Sequence, residues 1–189
     1  MAKYQFMIEV NIQNEFNKNP IEIEYCISHF FQWKCLIGFH NNVLCTIQLA
    51  NTTPELLTLA KKDFPKSQLI EQELKNNFIE VLNKMDNPAY KFNQSIILTG
   101  TEFQNKIWAS LLEIEHGKTI TYSNIAAKLQ IKNGDRAIGN SIGQNPIAIL
   151  LPCHRIIGKD GSLKNYKWGI ELKKFLLRKE GIKIENSLF

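Results

Sequence analysis

Ile149-Leu150-Leu151-Pro152-Cys153-His154-Arg155-Ile156-Ile157-Gly158 is an apolar run that breaks at Pro-Cys-His-Arg and then resumes. It reads as a buried strand that carries one thiol to its end, with an imidazole on the next residue. The thiolate is the nucleophilic form of cysteine, and a free thiol with a pKa of about 8.5 is only a few per cent ionised at neutral pH. A positioned histidine and a nearby arginine both favour the thiolate. Neighbouring strand residues point to opposite faces, so Cys153 and His154 cooperate only across a kink or through a bridging water. Pro152 gives a reason for a kink. The plain alternative is an inert buried thiol beside a surface imidazole, and the rest of the chain decides between them.

The chain has 189 residues, 44% of them hydrophobic and 22% charged, which suits a folded core in one large or two small domains. No run of about 18 apolar residues marks a membrane span, and Met1-Ala2-Lys3-Tyr4 does not open a secretory signal. The chain reads as intracellular, cytoplasmic or, in a eukaryote, nuclear. Cys26, Cys35, Cys45 and Cys153 then read as thiols rather than disulfides. The net charge of +5 is unevenly spread: residues 1–99 sum to −1 and residues 100–189 to +6. The half that holds Cys153 therefore suits an anionic partner, nucleic acid first.

Residues 3–50 are β-rich. Phe6–Val10, Ile21–Tyr25, Lys34–His40 and Val43–Ala50 are strand candidates, with Asn41-Asn42 as a hairpin turn and Asn17–Pro20 as a polar break. Thr53-Pro54-Glu55 starts a helix that runs to Asp63 and stops at Phe64-Pro65. Leu69, Ile70, Leu74, Phe78, Val81, Leu82 and Met85 predict one helix over 68–85, ended by Asp86-Asn87-Pro88. Phe92–Leu98 closes this part as a strand. Cys26, His29, Cys35, His40 and Cys45 have no compact metal-ligand spacing, so no metal is expected.

A boundary falls near Thr99-Gly100. Thr101–Gln104 is a capping-box start for a helix with Phe103, Ile107, Trp108, Leu111 and Leu112 on its inner side. Thr121 caps a helix carrying Ile125, Ala126 and Leu129. The polar turn Lys132–Asp135 leads into a second helix, Arg136–Gly143, lined with small residues. Two short helices joined by a glycine-containing turn form a helix-turn-helix, a DNA-binding candidate beside a basic surface. A last helix starts near Ile170, with Leu172, Phe175 and Leu176 inward and Lys173, Lys174, Arg178 and Lys179 outward. It ends at Glu180-Gly181.

Gly-Thr-Glu-Phe-Gln-Asn-Lys-Ile-Trp at 100–108, Gly-Lys-Thr-Ile-Thr-Tyr at 117–122, Arg-Ala-Ile-Gly at 136–139 and Asn-Pro-Ile at 145–147 occur in that order. Pro-Cys-His-Arg-Ile at 152–156, Asn-Tyr-Lys-Trp-Gly at 165–169 and Leu-Leu-Arg-Lys-Glu at 176–180 follow. Together they resemble the O6-alkylguanine–DNA alkyltransferases, also called methylated-DNA–protein-cysteine methyltransferases. The resemblance covers about Gly100 to Gly181.

It implies a two-domain α/β protein. Residues 1–99 form an N-terminal structural domain, a β-sheet with helices that is ribonuclease-H-like. Residues 100–189 form a mostly α, winged-helix-like domain that binds DNA and accepts the alkyl group. Cys153 resembles the acceptor thiol, His154 its base through a water, Glu180 the acid that orients that His, and Asn145 the tie between the helix-turn-helix and the active-site turn. For DNA and the flipped base, Arg136 resembles the finger that enters the duplex. Tyr122 is similar to the residue that contacts phosphate and base, and Tyr166 to the pocket wall. Ile142, Ile156 and Lys167 complete the DNA and base contacts: the carbonyls of Cys153 and Ile156 suit the guanine amine, and a backbone N–H near Lys167 suits O6.

The implied reaction is irreversible, single-turnover transfer of the alkyl group from O6-alkylguanine to Cys153 after base flipping; whether O4-alkylthymine is also accepted stays open at this point. No cofactor is implied. The partner is lesion-bearing double-stranded DNA, met by a monomer and without a membrane. Glu115-His116-Gly117 replaces the family's usual Pro-aromatic-Gly, and Gly143-Gln144 stands where some relatives carry Arg. The first half lacks the zinc-binding Cys/His set of some relatives, and nothing resembles the extra domain of the adaptive-response members. The alternatives are a non-catalytic alkyltransferase-like lesion sensor, which lacks the acceptor Cys, and a Cys-His hydrolase of small substrates.

Overall fold

The computed structural model describes residues 10–12, 21–73, 75–87 and 95–184. Ile23 and Tyr25 alternate with exposed Glu22 and half-buried Glu24, and the run continues as β2 (Glu22–Phe30). It turns at Phe31-Gln32 into β3 (Trp33–His40), which pairs antiparallel with it. β3 turns again at Asn41-Asn42 into β4 (Val43–Ala50). Both asparagines have positive φ, +48° and +62°, the geometry of a tight two-residue hairpin. The expected strands Lys34–His40 and Val43–Ala50 are thus present, and β2 runs five residues past Tyr25.

The helix α1 (Thr53–Asp63) starts one residue earlier than the Thr-Pro signal suggested, because Thr52 accepts from the Glu55 N–H and acts as the cap. It lays Leu56 and Ala60 onto Tyr25 and Leu36. Each such fully buried Leu, Ile or Phe side chain contributes about 1.5–3 kcal/mol.

The single helix expected over 68–85 is instead a strand, β5 (Gln68–Glu71), followed by a helix, α2 (Asn76–Asp86). β5 pairs parallel with β2, and the Gln68 and Gln72 N–H groups donate to the Ile21 and Tyr25 carbonyls. That pairing satisfies the open edge of β2, a gain that apolar periodicity cannot register. From α2, Phe78 packs edge-on against Phe39, ring centroids 5.0 Å apart.

β1 (Val10–Ile12) and β6 (Ile96–Leu98) pair parallel with each other, and β6 also pairs with β4. The six-stranded order is β1-β6-β4-β3-β2-β5. Phe6–Glu9, Asn17–Pro20, Leu74, Pro88, residues 92–94 and the tail from 185 lie outside the described residues.

The chain falls into two compact units, Met1–Thr101 with Pro146–Leu150, and Glu102–Asn145 with Leu151–Phe189. In the first, Ile147 bridges Ile47, and the buried strand expected from Ile149 into Cys153 is absent. After that one bridge, Leu150 N–H bonds to Ala148 O at 2.7 Å around Ile149, whose φ of +66° turns the chain away. A left-handed β-branched residue cannot continue a strand.

In the second unit, α3 (Glu102–Leu111) buries Ile107, Trp108 and Leu111. Phe103, expected inside, is 38% exposed. The Trp108 Nε1–H donates to Ser141 O at 2.8 Å and ties α3 to the later helix α5. β7 (Ile120–Thr121) leads into α4 (Tyr122–Lys128), where Thr121 and Asn124 cap each other reciprocally. α5 (Asp135–Gly143) packs on both α3 and α4. A 3-10 turn (Cys153–Arg155) and β8 (Ile156–Ile157), paired parallel with β7, precede α6 (Ile170–Lys179). No helix among the described residues is long and apolar enough to cross a membrane.

Candidate active site

The backbone turns tightly at Pro152, with φ −79° and ψ 56°, and Cys153 N–H donates back to Leu151 O at 2.7 Å. Cys153 and His154 therefore sit on a 3-10 turn rather than on a strand. Both are buried, at 3% and 1% exposure. The kink for which Pro152 gave a reason is present.

Asn145 is wholly buried beside them. Its Nδ2 donates to the Cys153 Sγ at 3.1 Å and to the Leu151 carbonyl at 3.1 Å. Burial pushes the Cys153 thiol up. The Asn145 hydrogen bond and the Lys173 and Lys167 ammonium groups pull it back. The other cysteines lack such partners: burial pushes Cys26 to about 11 and Cys35 to about 12. Among the described residues no His, Cys, Asp and Glu side chains gather as a metal site.

His154 Nε2 lies 2.7 Å from Glu180 Oε1. Glu180 caps the end of α6, where Gly181, with φ +80°, lets the chain turn and Ile182 N–H close onto Leu177 O. Burial alone would raise the Glu180 carboxyl, but hydrogen bonds from His154 and Arg155 bring it to about 2. An ionised carboxylate can only accept, so Nε2 carries the imidazole proton. Burial lowers the His154 pKa, keeping the ring neutral. The lone pair is then on Nδ1, which is buried and has no hydrogen-bond partner among the described residues. A neutral imidazole oriented by a carboxylate, with its basic nitrogen uncommitted, is the geometry of a general base.

Tyr122, at the start of α4, is half-buried near the thiol: burial and Cys153 both raise its pKa. Its ring lies over Gly139, where an added Cβ would meet ring carbons at 3.5 Å. Burial and then Cys153 raise Tyr166 further, and its hydroxyl makes no conventional hydrogen bond among the described residues. The Tyr166 ring meets Trp168 edge-on at 5.2 Å. Lys167 Nζ donates to Asn145 O at 2.9 Å and stands over the Trp168 ring. Cys153, His154, Glu180, Asn145, Tyr122, Tyr166 and Lys167 thus gather around one thiol. The Ile156 and Cys153 carbonyls already accept from Lys173 Nζ and from Ile156 N–H, each with a second lone pair remaining.

Arg136 is exposed in the first turn of α5 and makes no ion pair among the described residues. Ile142, expected at the DNA, is only 6% exposed on the inner side of α5, so its part is packing.

Residues 102–182 match the family described as 6-O-methylguanine DNA methyltransferase, DNA binding domain. The inducible methylated-DNA–protein-cysteine methyltransferase of Bacillus subtilis is 40% identical over 125 residues, 65% of this chain and 70% of that one. The chain belongs to this family. The Candida glabrata methylated-DNA–protein-cysteine methyltransferase is 43% identical over 121 residues, 62% of this chain and 58% of that one, so the match spans less than two-thirds of that relative. The fold is similar to that of Mycobacterium tuberculosis OGT solved in complex with DNA, with a TM-score of 0.69, 29% identity, and 83% and 92% of the two chains covered.

Three residues of this methyltransferase-family site are not singled out by the sequence. Arg155 was noted only as a nearby charge. It grips both Glu180 oxygens through Nε at 3.1 and 3.0 Å and reaches Ile114 O through Nη1 at 2.5 Å. Gly117 N–H adds a bond to Glu180 Oε2 at 3.0 Å, so the Glu-His-Gly turn feeds the site. Lys173, expected on the outer face of α6, is 1% exposed. Its Nζ donates to Ile156 O at 2.6 Å and to Leu163 O, and burial lowers it to about 8 while Cys153 opposes that shift. The signal was available: Lys173, Leu176, Leu177 and Glu180 fall on one helical face.

Proposed function

We propose that the chain repairs DNA by moving the alkyl group of O6-alkylguanine onto Cys153, once per protein molecule. The observation that carries this reading is the buried thiol that accepts from the Asn145 amide, one residue before a neutral His154 whose Nδ1 makes no hydrogen bond among the described residues. His154 Nδ1 takes the thiol proton through a water, with Glu180 and Arg155 fixing the ring. Sγ donates an electron pair to the alkyl carbon, forming S–C as C–O6 breaks. The departing guanine keeps the C–O6 bonding pair and takes a proton from the Tyr122 hydroxyl, which recovers one from the His154 imidazolium through solvent. A thioether offers water no usable leaving group, so the protein is spent. The uneven charge, +6 over residues 100–189, supports duplex DNA as the partner. Exposed Arg136 on α5 supports the finger role, filling the gap left by a flipped base. Flipping costs a few kcal/mol, least for a poorly paired lesion.

The β2-β3-β4 meander flanked by parallel strands supports a ribonuclease-H-like domain over 1–99. The α4–α5 pair with the β7–β8 ladder supports a winged-helix-like DNA-binding domain over 100–189. The protein is read as a monomer, cytoplasmic or, in a eukaryote, nuclear. Titrating a duplex that carries one O6-methylguanine against the protein tests the reading. Repair should stop at one lesion per protein molecule. Repeated turnover would favour a hydrolase, and tight binding without repair a lesion sensor.

A further inference from the structure

Three donor groups crowd the Pro146 carbonyl. Ile47 N–H lies at 3.0 Å, Thr46 Oγ1 at 3.1 Å and Gln48 Nε2 at 3.1 Å. Thr46 and Gln48 are both fully buried. The two Gln48 amide hydrogens are shared among that carbonyl, Thr46 Oγ1 and Asp63 Oδ2, with the last two nearer, each at 2.8 Å, so Gln48 holds Pro146 chiefly by fixing Thr46. A carboxylate accepts only, so Asp63 fixes which end of that amide is NH2. Thr46 is fixed as well. Its methyl fills the space over Gly38, where an added Cβ would come within 2.6 Å, and its hydroxyl is left aimed at Pro146.

A carbonyl needs two donors at most, and polar groups are costly to bury without purpose. This cluster sits at the start of a strained excursion. Ile149 is held at φ +66°, a conformation that costs of order 1–3 kcal/mol and persists only when its surroundings over-determine it. Ala148 N–H on Ile47 O, at 3.0 Å, is the second anchor. The excursion begins one peptide bond after Asn145 and ends one before Leu151. Those two residues meet through the amide that also holds the Cys153 sulfur.

We infer that Thr46 and Gln48 are positioning residues for alkyl transfer: by clamping the Pro146 carbonyl they set where the Asn145 amide stands against the Cys153 thiol. This rests on Cys153 as the reacting group.

The test compares Thr46→Val and Gln48→Leu with Thr46→Ser, which keeps the hydroxyl. Two rate constants are followed against pH in the full chain: alkylation of Cys153 by iodoacetamide and single-turnover reaction with O6-benzylguanine. Misfolded protein lowers the amplitude but leaves the rate constant of the folded fraction. The expected result is a rate constant about tenfold lower at neutral pH in Thr46→Val and Gln48→Leu, with the pH midpoint moved upward and Thr46→Ser near wild type. Unchanged rate constants and midpoints in Thr46→Val and Gln48→Leu, whatever their melting temperatures, overturn the inference. If Gln48→Leu does not fold, Thr46→Val decides alone. Wild type inert toward O6-benzylguanine would count against the functional reading, while the iodoacetamide profiles would still test the clamp.

Discussion

Asn145 donates from Nδ2 to the Cys153 sulfur over 3.1 Å, and from the same nitrogen to the Leu151 carbonyl. Hydrogen bonds to charged groups contribute about 1.5–3 kcal/mol, so this bond favours thiolate over thiol. Asn145→Ala removes it and leaves the Leu151 carbonyl with only the Cys153 N–H. Cys153 alkylation at pH 7 should slow about tenfold or more, and its pH midpoint should rise. Stopped single-turnover assays across pH would check both.

Glu180 titrates at about 2 when folded, because His154 and Arg155 outweigh its burial. Unfolded, it titrates near its ordinary value of about 4.3. Its contribution to stability is complete above that ordinary value and is lost as pH falls toward 2. Denaturant midpoints between pH 5 and 2 should therefore fall less steeply in Glu180→Gln than in wild type. The same variant frees the His154 tautomer and should slow alkyl transfer while DNA affinity stays within about twofold, read by fluorescence anisotropy.

Lys173 works in the opposite direction. Burial lowers it to about 8, with Cys153 pulling the other way. Between about 8 and its unfolded value of about 10.4 the unfolded chain binds more protons, so this group makes stability rise with pH across that window. Lys173→Met should flatten the rise. It also strips a cation from the neighbourhood of the thiol, so the Cys153 pH profile should move up. A profile unchanged by Lys173→Met would mean that Lys173 serves only its two carbonyls.

Arg136 is exposed on the first turn of α5. Arg136→Ala should weaken repair of an O6-methylguanine duplex by about tenfold while reaction with free O6-benzylguanine stays within about twofold, since only the duplex has a gap to fill. Equal losses on both substrates would argue against the finger role.

Much of this was legible from residue order. Pro at the first turn of α1 and the Asn-Asn hairpin carry local chemistry, and each lies within a residue or two of its reading. The thiol, imidazole and carboxylate were legible through the family motifs. The misses have a common cause, tertiary pairing that periodicity does not report. Gln68–Glu71 is a strand because β2 offers an open edge. Ile149 and Leu150 form a turn rather than a strand because Ile149 turns left-handed. Lys173 was assigned to solvent by residue type, although its place on the helix puts it on the face of Leu177 and Glu180.

Cys153 as the alkyl acceptor is the central claim, and mass spectrometry tests it most directly. The protein is mixed with one equivalent of an O6-methylguanine duplex, digested and mapped, alongside Cys153→Ser. The account predicts one added methyl on the peptide that contains Cys153 and none in the variant. Methyl on another residue, or no mass change despite tight lesion binding, would contradict it.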